Sequence, residues 1–323
     1  MTETMLPDAL RAAGEVDLHG LAGVREDDMV EYVHSGLERL PGYLELYARY
    51  LKQRWDVYEL DFTQDRYDWH ERMGDAERAA MLIASGRFMH GERAVEVTLA
   101  PLLLGGTEEQ KIYLTSQIED EARHVIFFER FRREAIGFAS ASVDEALDGA
   151  YEEYHYGGEA IFNHALLAQL GHCLARDPQD MHNRVRYATV YFFWTEGVRA
   201  LSTFQLLLNY CRESNVLPGF YTGLIATTRD ESRHVQFGLR LLHDAIHADP
   251  TLVADVHEAL RTLVSINAAI SLETFNPEAL GWTTERARQT VIRNLYRKLD
   301  CIGVRLPDDI ETSLGYVQAG LGE

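Results

Sequence analysis

Glu121-Ala-Arg-His124 and Glu231-Ser-Arg-His234 repeat one spelling, a carboxylate and an imidazole three residues apart, inside two long stretches that read as helix. On a helix, residues three apart differ by about 60° in direction and about 4.5 Å in rise, so each pair projects from one face. Each motif therefore offers an O,N chelate. Taken singly, its ordinary reading is a solvated i,i+3 contact. Two copies acquire chemistry when two further helices each add a carboxylate, the arrangement by which helix bundles hold a pair of metal ions.

Helix geometry selects those carboxylates. Glu231 lies 14 residues beyond Leu217, about 21 Å of helix, and the same distance back along the preceding helix from Glu213 ends near Arg199. Glu196 is the carboxylate close by. Glu121 likewise lies 14 residues beyond Thr107, and about 21 Å back from Leu104 ends near His90 and Gly91, beside Glu92. Folded as two antiparallel hairpins, the chain brings Glu92, Glu121, His124, Glu196, Glu231 and His234 level. Glu92 and its neighbour Glu96 also fit a solvated helix face. Glu196 does not: Phe193-Trp194 and Val198 flank it in the most apolar helix, where an unpaired carboxylate is costly to bury. A cation is its natural partner. His90, His155, His164 and His172 lack a second ligand at helical spacing and read as core or surface histidines.

The elements that must carry these residues follow from periodicity and stop signals. Asp75 to Leu104 reads as the first long helix, stopped by Gly105-Gly106, and Thr107-x-x-Gln110 is a capping box that opens a second, to about Ile136. Ser142-x-x-Glu145 opens a third, to Arg176; a fourth, mostly apolar, runs from about Gln179 to Glu213; Pro218 opens a fifth, to about His247. Segments 251–275 and 284–302 follow, then a Gly-rich tail. Ahead of Asp75, 27–55 reads as helical with a break at Pro41-Gly42. Trp55 to Trp69 reads as a polar-aromatic connector packed on the surface, and residues 1–25 as poorly ordered. The prediction is an all-α protein, a single domain over 1–323 with a four-helix core at about 75–247 and additional helices.

Composition excludes several classes. A formal charge of -20 argues against nucleic acid or an anionic membrane as partner, and no uncharged run approaches the ~20 residues of a membrane span. Cys173, Cys211 and Cys301 are too few and too scattered for a disulfide framework or a thiolate zinc site, which predicts a reduced, cytoplasmic setting.

Carboxylates and imidazoles without thiolates suit iron, manganese or zinc. Glu121 and Glu231, each tied to a terminal histidine, are the better candidates to bridge two ions. Asp120 and Asp230 each lie four residues before a motif histidine and are candidates for hydrogen bonds to the imidazoles; surface positions are the alternative.

The run Trp55 to Trp69, Gly91-Glu-Arg-Ala-Val95, Tyr191-Phe-Phe-Trp-Thr-Glu196-Gly197, Leu217-Pro-Gly219 and Arg229-Asp-Glu-Ser-Arg-His234 resemble the ligand-binding oxidases related to the ribonucleotide reductase small subunit, within the ferritin-like di-metal superfamily. The resemblance covers roughly residues 50–245. Two positions point to this branch: Val95, three after the first glutamate, and Tyr191, five before the third. It implies an oxygen-activating oxidase with manganese at Glu92, Glu121 and His124 and iron at Glu196, Glu231 and His234, di-iron being the other loading. It also implies an ether cross-link between Tyr191 and Val95, a bound long-chain fatty acid, dioxygen as co-substrate and a homodimer. Tyr191 lies about 140° around an ideal helix from Glu196, so its approach to the ions requires a local distortion or a slanted reach. The Glu92-to-Glu121 separation is shorter than in similar proteins, and the first 50 residues find no match.

Two other readings stay open. A ribonucleotide reductase small subunit would store an oxidising equivalent for a larger partner; Phe128, four residues after His124, stands where many such subunits resemble one another in having a radical tyrosine, which those storing the equivalent in a manganese/iron centre can do without. Ferritin-like iron storage needs only about a four-helix chain, shorter than this one.

Overall fold

The computed structural model describes residues 13–154, 158–269 and 276–320, and among these the chain is helical throughout, with no strand. In chain order the helices are α1 (Leu18–Leu21), α2 (Glu26–Ser35), α3 (Tyr43–Gln53), α4 (Thr63–Tyr67), α5 (Asp75–Leu104) and α6 (Glu108–Phe131). They continue with α7 (Val143–Tyr154), α8 (Gly158–Arg176), α9 (181–213), α10 (Pro218–Ala248), α11 (Val253–Ala269), α12 (Thr284–Ile302) and α13 (Asp308–Gly320). No helix among the described residues is long and apolar enough to cross a membrane.

The centre is a pair of hairpins, α5 with α6 and α9 with α10. The first turns at Thr107, where the expected capping box forms: Gln110 N donates to Thr107 Oγ1 at 3.3 Å and Thr107 N to Gln110 Oε1 at 3.1 Å. In α9 the middle stretch, Thr189–Ala200, is a π-helix set between α-helical Met181–Ala188 and Leu201–Glu213. The π stretch comes so close to α10 that a Cβ on Gly238 would lie 2.0 Å from Phe192 Cβ. Around this core, α7 and α8 pack on α5, α3 on α6, and α12 on α10 and the π stretch.

The segment from Trp55 to Trp69 is not surface packing. Trp55, Phe62 and Trp69 are buried and meet Phe127 and Phe131 of α6, while Phe220 of α10 lies 4.4 Å from Phe131 by ring centroids. Its acids cap α10: Asp65 accepts from Gly219 N at 2.8 Å and Phe220 N at 2.7 Å, and Asp68 accepts from Leu217 N at 2.8 Å. A carboxylate over the free N–H groups of a 31-residue helix satisfies donors that the helix itself leaves unmet. Gly219 is required here, since a Cβ would come 2.4 Å from the Asp61 carbonyl.

Residues 13–25 also depart from expectation. Ala13, Leu18, Leu21 and Val24 are buried, Arg229 Nη1 donates to Val16 O at 2.7 Å, and Tyr221 Oη to Val24 O at 2.8 Å. Their apolar residues are too sparse to show a period, yet α10 supplies donors to their carbonyls; residues 1–12 lie outside the described set. The third predicted helix is described on both sides of 155–157, as α7 and α8, and those three residues lie outside the described set. The tail forms α13, anchored by buried Ile310. Cys173, Cys211 and Cys301 are all free.

Between α2 and α12, His34 approaches Asn294 Oδ1 at 3.4 Å and contacts Arg297. Burial and the nearby Lys298 and Arg297 cations push its imidazole down to about 3. Between that value and the unfolded value near 6.5 the unfolded chain binds the extra proton, so this group's contribution is complete above pH 6.5 and is lost as pH falls. Chemical denaturation should show the wild type losing about 1–2 kcal/mol more than His34→Gln between pH 7.5 and pH 5. Equal losses in the two proteins would contradict this account.

Candidate metal centre

Glu92 comes from α5, Glu121 and His124 from α6, Glu196 from the π stretch, and Glu231 and His234 from α10; all six are buried. They form two overlapping groups, Glu92, Glu121, His124 and Glu231, and Glu121, Glu196, Glu231 and His234, each with donor atoms within 4.8 Å of one another. Glu121 and Glu231 stand in both. His124 Nδ1 lies 3.8 Å from Glu92 Oε2, 3.6 Å from Glu121 Oε2 and 3.5 Å from Glu231 Oε1. His234 Nδ1 lies 3.2 Å from Glu121 Oε1, 3.6 Å from Glu196 Oε1 and 3.3 Å from Glu231 Oε2.

Such a cluster is electrostatically incomplete by itself. Burial pushes the carboxyls of Glu92, Glu196 and Glu231 up, and their carboxylate neighbours add to it. Burial opposes the charge on Glu121 as well, but His234 and His124 overcome it and hold the group well below the carboxylate range. Burial would likewise lower both imidazoles, yet the surrounding acids raise His124 and His234 well above their ordinary value. Glu121 Oε2, Glu196 Oε2, Glu231 Oε2, His124 Nδ1 and His234 Nδ1 are buried without a hydrogen-bond partner among the described residues. Orphaned acceptors turned towards one another fit a pair of cations: two divalent ions carry the charge that four carboxylates balance. Oxygen and imidazole donors without thiolate suit iron, manganese or zinc.

The far nitrogens of the imidazoles are held crosswise. His124 Nε2 lies 3.2 Å from Asp230 Oδ2, and His234 Nε2 lies 3.1 Å from Asp120 Oδ2. Each ring extends away from its own helix, so its outer nitrogen meets the aspartate of the opposite motif rather than the one four residues before it. Arg123 and Arg233, the arginines inside the repeated spelling, complete the layer. Arg233 Nη2 lies 2.9 Å from Asp120 Oδ2 and 2.6 Å from Asp230 Oδ1, Arg123 Nη2 lies 3.0 Å from Asp230 Oδ2, and Arg123 also pairs with Asp120. Burial would raise Asp230; Arg233 and Arg123 hold its carboxyl well below the usual range. Sequence reasoning passed over both arginines, although their repetition was the available signal.

Tyr191 reaches the cluster through the π stretch. Leu201 N donates to Glu196 O five residues back, the i→i+5 backbone bonding of a π-helix, and the Thr195 hydroxyl side chain donates to Val190 O at 2.9 Å. The wider turn brings residues five apart towards one side; of the two routes that the Tyr191–Glu196 spacing leaves open, it is the local distortion rather than the slanted reach. Tyr191 Oη donates to Glu121 Oε1 at 2.7 Å. Val95 is buried one turn after Glu92 on α5. Phe128 is buried against Phe88 and Phe127, at 5.5 and 4.8 Å between centroids. Gln117, buried one turn before Glu121, was not anticipated, since a lone amide carries no spacing signal.

Comparison with known proteins gives the chain a fold and a family. The fold is similar to the R2-like ligand-binding oxidase from Sulfolobus acidocaldarius, with TM-score 0.68 and 23% identity over 83% of this chain and 93% of that one. It is similar also to a variant R2-like ligand-binding oxidase with an anaerobically reconstituted Mn/Fe cofactor, with TM-score 0.70 and 21% identity over 82% and 94%. A third, a variant with an aerobically reconstituted Fe/Fe cofactor, gives TM-score 0.67 and 21% identity over 80% and 92%. The shared architecture is a ferritin-like four-helix bundle with additional helices. The family model for the ribonucleotide reductase small chain matches residues 39–303, and the chain belongs to that family.

Proposed function

We propose that this protein is an oxygen-activating oxidase of the ligand-binding type, holding manganese with Glu92, Glu121 and His124 and iron with Glu196, Glu231 and His234. Glu121 and Glu231, which stand in both groups of donors, would serve either ion, and Asp230 and Asp120 fix the two imidazoles. Bound there, the metal pair supplies the activation of dioxygen. The observation that carries the reading is Tyr191, whose Oη sits 2.7 Å from Glu121 Oε1 in a fully buried setting. There the phenol is held for oxidation, losing its hydrogen as it bonds to the Val95 β-carbon, which loses its own; dioxygen takes the two electrons. Glu121 accepts the hydroxyl hydrogen, the helices exclude water, and a long-chain fatty acid docks with its carboxylate at the ions.

Similarity to Mn/Fe-loaded ligand-binding oxidases supports the metal pair, and Phe128 counts against a small subunit that keeps its radical on a tyrosine there, though not against one that stores the oxidising equivalent in the metal centre. One feature favours that second reading: Trp55 Nε1 donates to Asp230 Oδ2 at 2.7 Å, and Asp230 meets His124 Nε2 at 3.2 Å, a hydrogen-bonded run leading out of the cluster. Anaerobic loading with manganese and iron, admission of air and mass spectrometry of the extracted ligand separates the two. The oxidase reading expects a long-chain fatty acid released in proportion to metal; a ligand-free extract from fully loaded protein would count for the radical store.

A further inference from the structure

Gln117 is fully buried on α6, one turn before Glu121, and its amide faces three oxygens. Nε2 lies 2.9 Å from Tyr191 Oη, 3.3 Å from Glu121 Oε1 and 3.5 Å from Glu196 Oε1. Two of those oxygens belong to carboxylates, which accept and do not donate when ionised, so the nitrogen and not the oxygen of the amide must face them. Gln117 Oε1 is left buried without a partner among the described residues. That arrangement is costly, by about 1–3 kcal/mol, for a group serving only to fill space.

We propose that Gln117 is a positioning residue for Tyr191, an inference that rests on the oxidase reading above. A phenol has one hydrogen. Because the amide donates into Oη, the Tyr191 hydrogen must point elsewhere, and the acceptor within reach is Glu121 Oε1 at 2.7 Å. Gln117 thereby selects one rotamer of the hydroxyl and aims its hydrogen at the carboxylate shared by both halves of the cluster. The cross-link breaks the Tyr191 O–H and Val95 Cβ–H bonds and forms one O–Cβ bond; the two electrons and two protons pass to dioxygen, which is reduced to the level of hydrogen peroxide, the hydroxyl proton by way of Glu121. Holding the O–H in line with its acceptor beforehand removes a search from that step.

Gln117→Met keeps the length of the side chain and removes both N–H donors; Gln117→Leu carries the same expectation if the methionine variant does not accumulate. Two measurements are needed. Ultraviolet resonance Raman spectra of the metal-free chain, each corrected with its own Tyr191→Phe counterpart, report whether the phenol oxygen accepts as well as donates. Anaerobic loading with manganese and iron, followed by air and intact-mass measurement, gives the rate at which two hydrogens are lost. The expected result is two metals retained, a tyrosine signal moved to donor-only, and cross-linking slower by about tenfold or more. A tyrosine signal unchanged by Gln117→Met overturns the proposal, as does a moved signal with cross-linking at the wild-type rate. Loss of a metal assigns Gln117 to holding the cluster and overturns it too. A wild type that binds both metals and loses no mass ends the oxidase reading of Tyr191 instead; the Raman comparison then decides the hydroxyl orientation by itself.

Discussion

Alanine at Glu121 or at Glu231 is expected to strip both ions from the chain, whereas alanine at Glu92 or at Glu196 strips one. The difference follows from sharing: Glu121 and Glu231 belong to both groups of donors, while Glu92 and Glu196 each belong to one. Removing a shared carboxylate takes a donor from each ion and also the negative charge that lets two cations lie side by side. The loss at each ion should exceed the about 10–100-fold in affinity that removal of an outer hydrogen-bond partner costs. That smaller figure applies to Asp230→Ala, with a distinctive pattern. Asp230 lies on the helix of His234 but holds His124, so the ion bound by Glu92, Glu121 and His124 should weaken first. Elemental analysis gives the stoichiometry, and anomalous scattering at the two absorption edges gives the site. Glu121→Ala retaining two ions at full occupancy would refute the shared-ligand arrangement.

The coming together of the six side chains was legible because a helix rises by a fixed amount per residue. Equal 14-residue arms from Thr107 to Glu121 and from Leu217 to Glu231 bring both motifs level with Glu92 and Glu196, provided the hairpins are antiparallel, and they are. The conflict at Tyr191 between a five-residue spacing and the α-helical turn was legible in the same way, though not whether a distortion or a slanted reach resolves it. What period and spacing do not encode is which element meets which. Asp65 and Asp68 cap a helix about 150 residues away, and nothing near them in the chain signals it. The crosswise Asp–His pairs depend on where an imidazole's outer nitrogen ends, a matter of side-chain reach and not of register. Gln117 was invisible for the same reason: its role is set by Tyr191, 74 residues on, and by no repeat. Residues 13–25 carry too few apolar positions to show a period, yet four of them bury against the bundle because α10 offers Arg229 and Tyr221 to their carbonyls.

Loading the wild type with manganese and iron and admitting air should remove two hydrogens from the intact mass, and Tyr191→Phe should abolish that loss completely. The argument begins from burial. Tyr191 is fully enclosed, so its hydroxyl cannot exchange its partner for water, and burial together with Glu121, Glu196 and Glu231 raises its phenol well above the ordinary value. The neutral phenol is thus the form presented to the cluster, with its hydrogen committed to Glu121. Val95, on the same helix as Glu92 and one turn further, carries a tertiary β C–H, the kind most readily oxidised. Val95→Ala keeps a β C–H but only a primary one, so the mass loss should fall to a minor fraction while both ions stay bound. Peptide mapping should then find the wild-type link between the α5 and α9 segments, with Phe128 unmodified. Unchanged mass in a wild type holding two ions, or a loss that persists in Tyr191→Phe, would remove Tyr191 from the chemistry. The metal-binding expectations would stand, because they depend on the four glutamates and two histidines and not on the phenol.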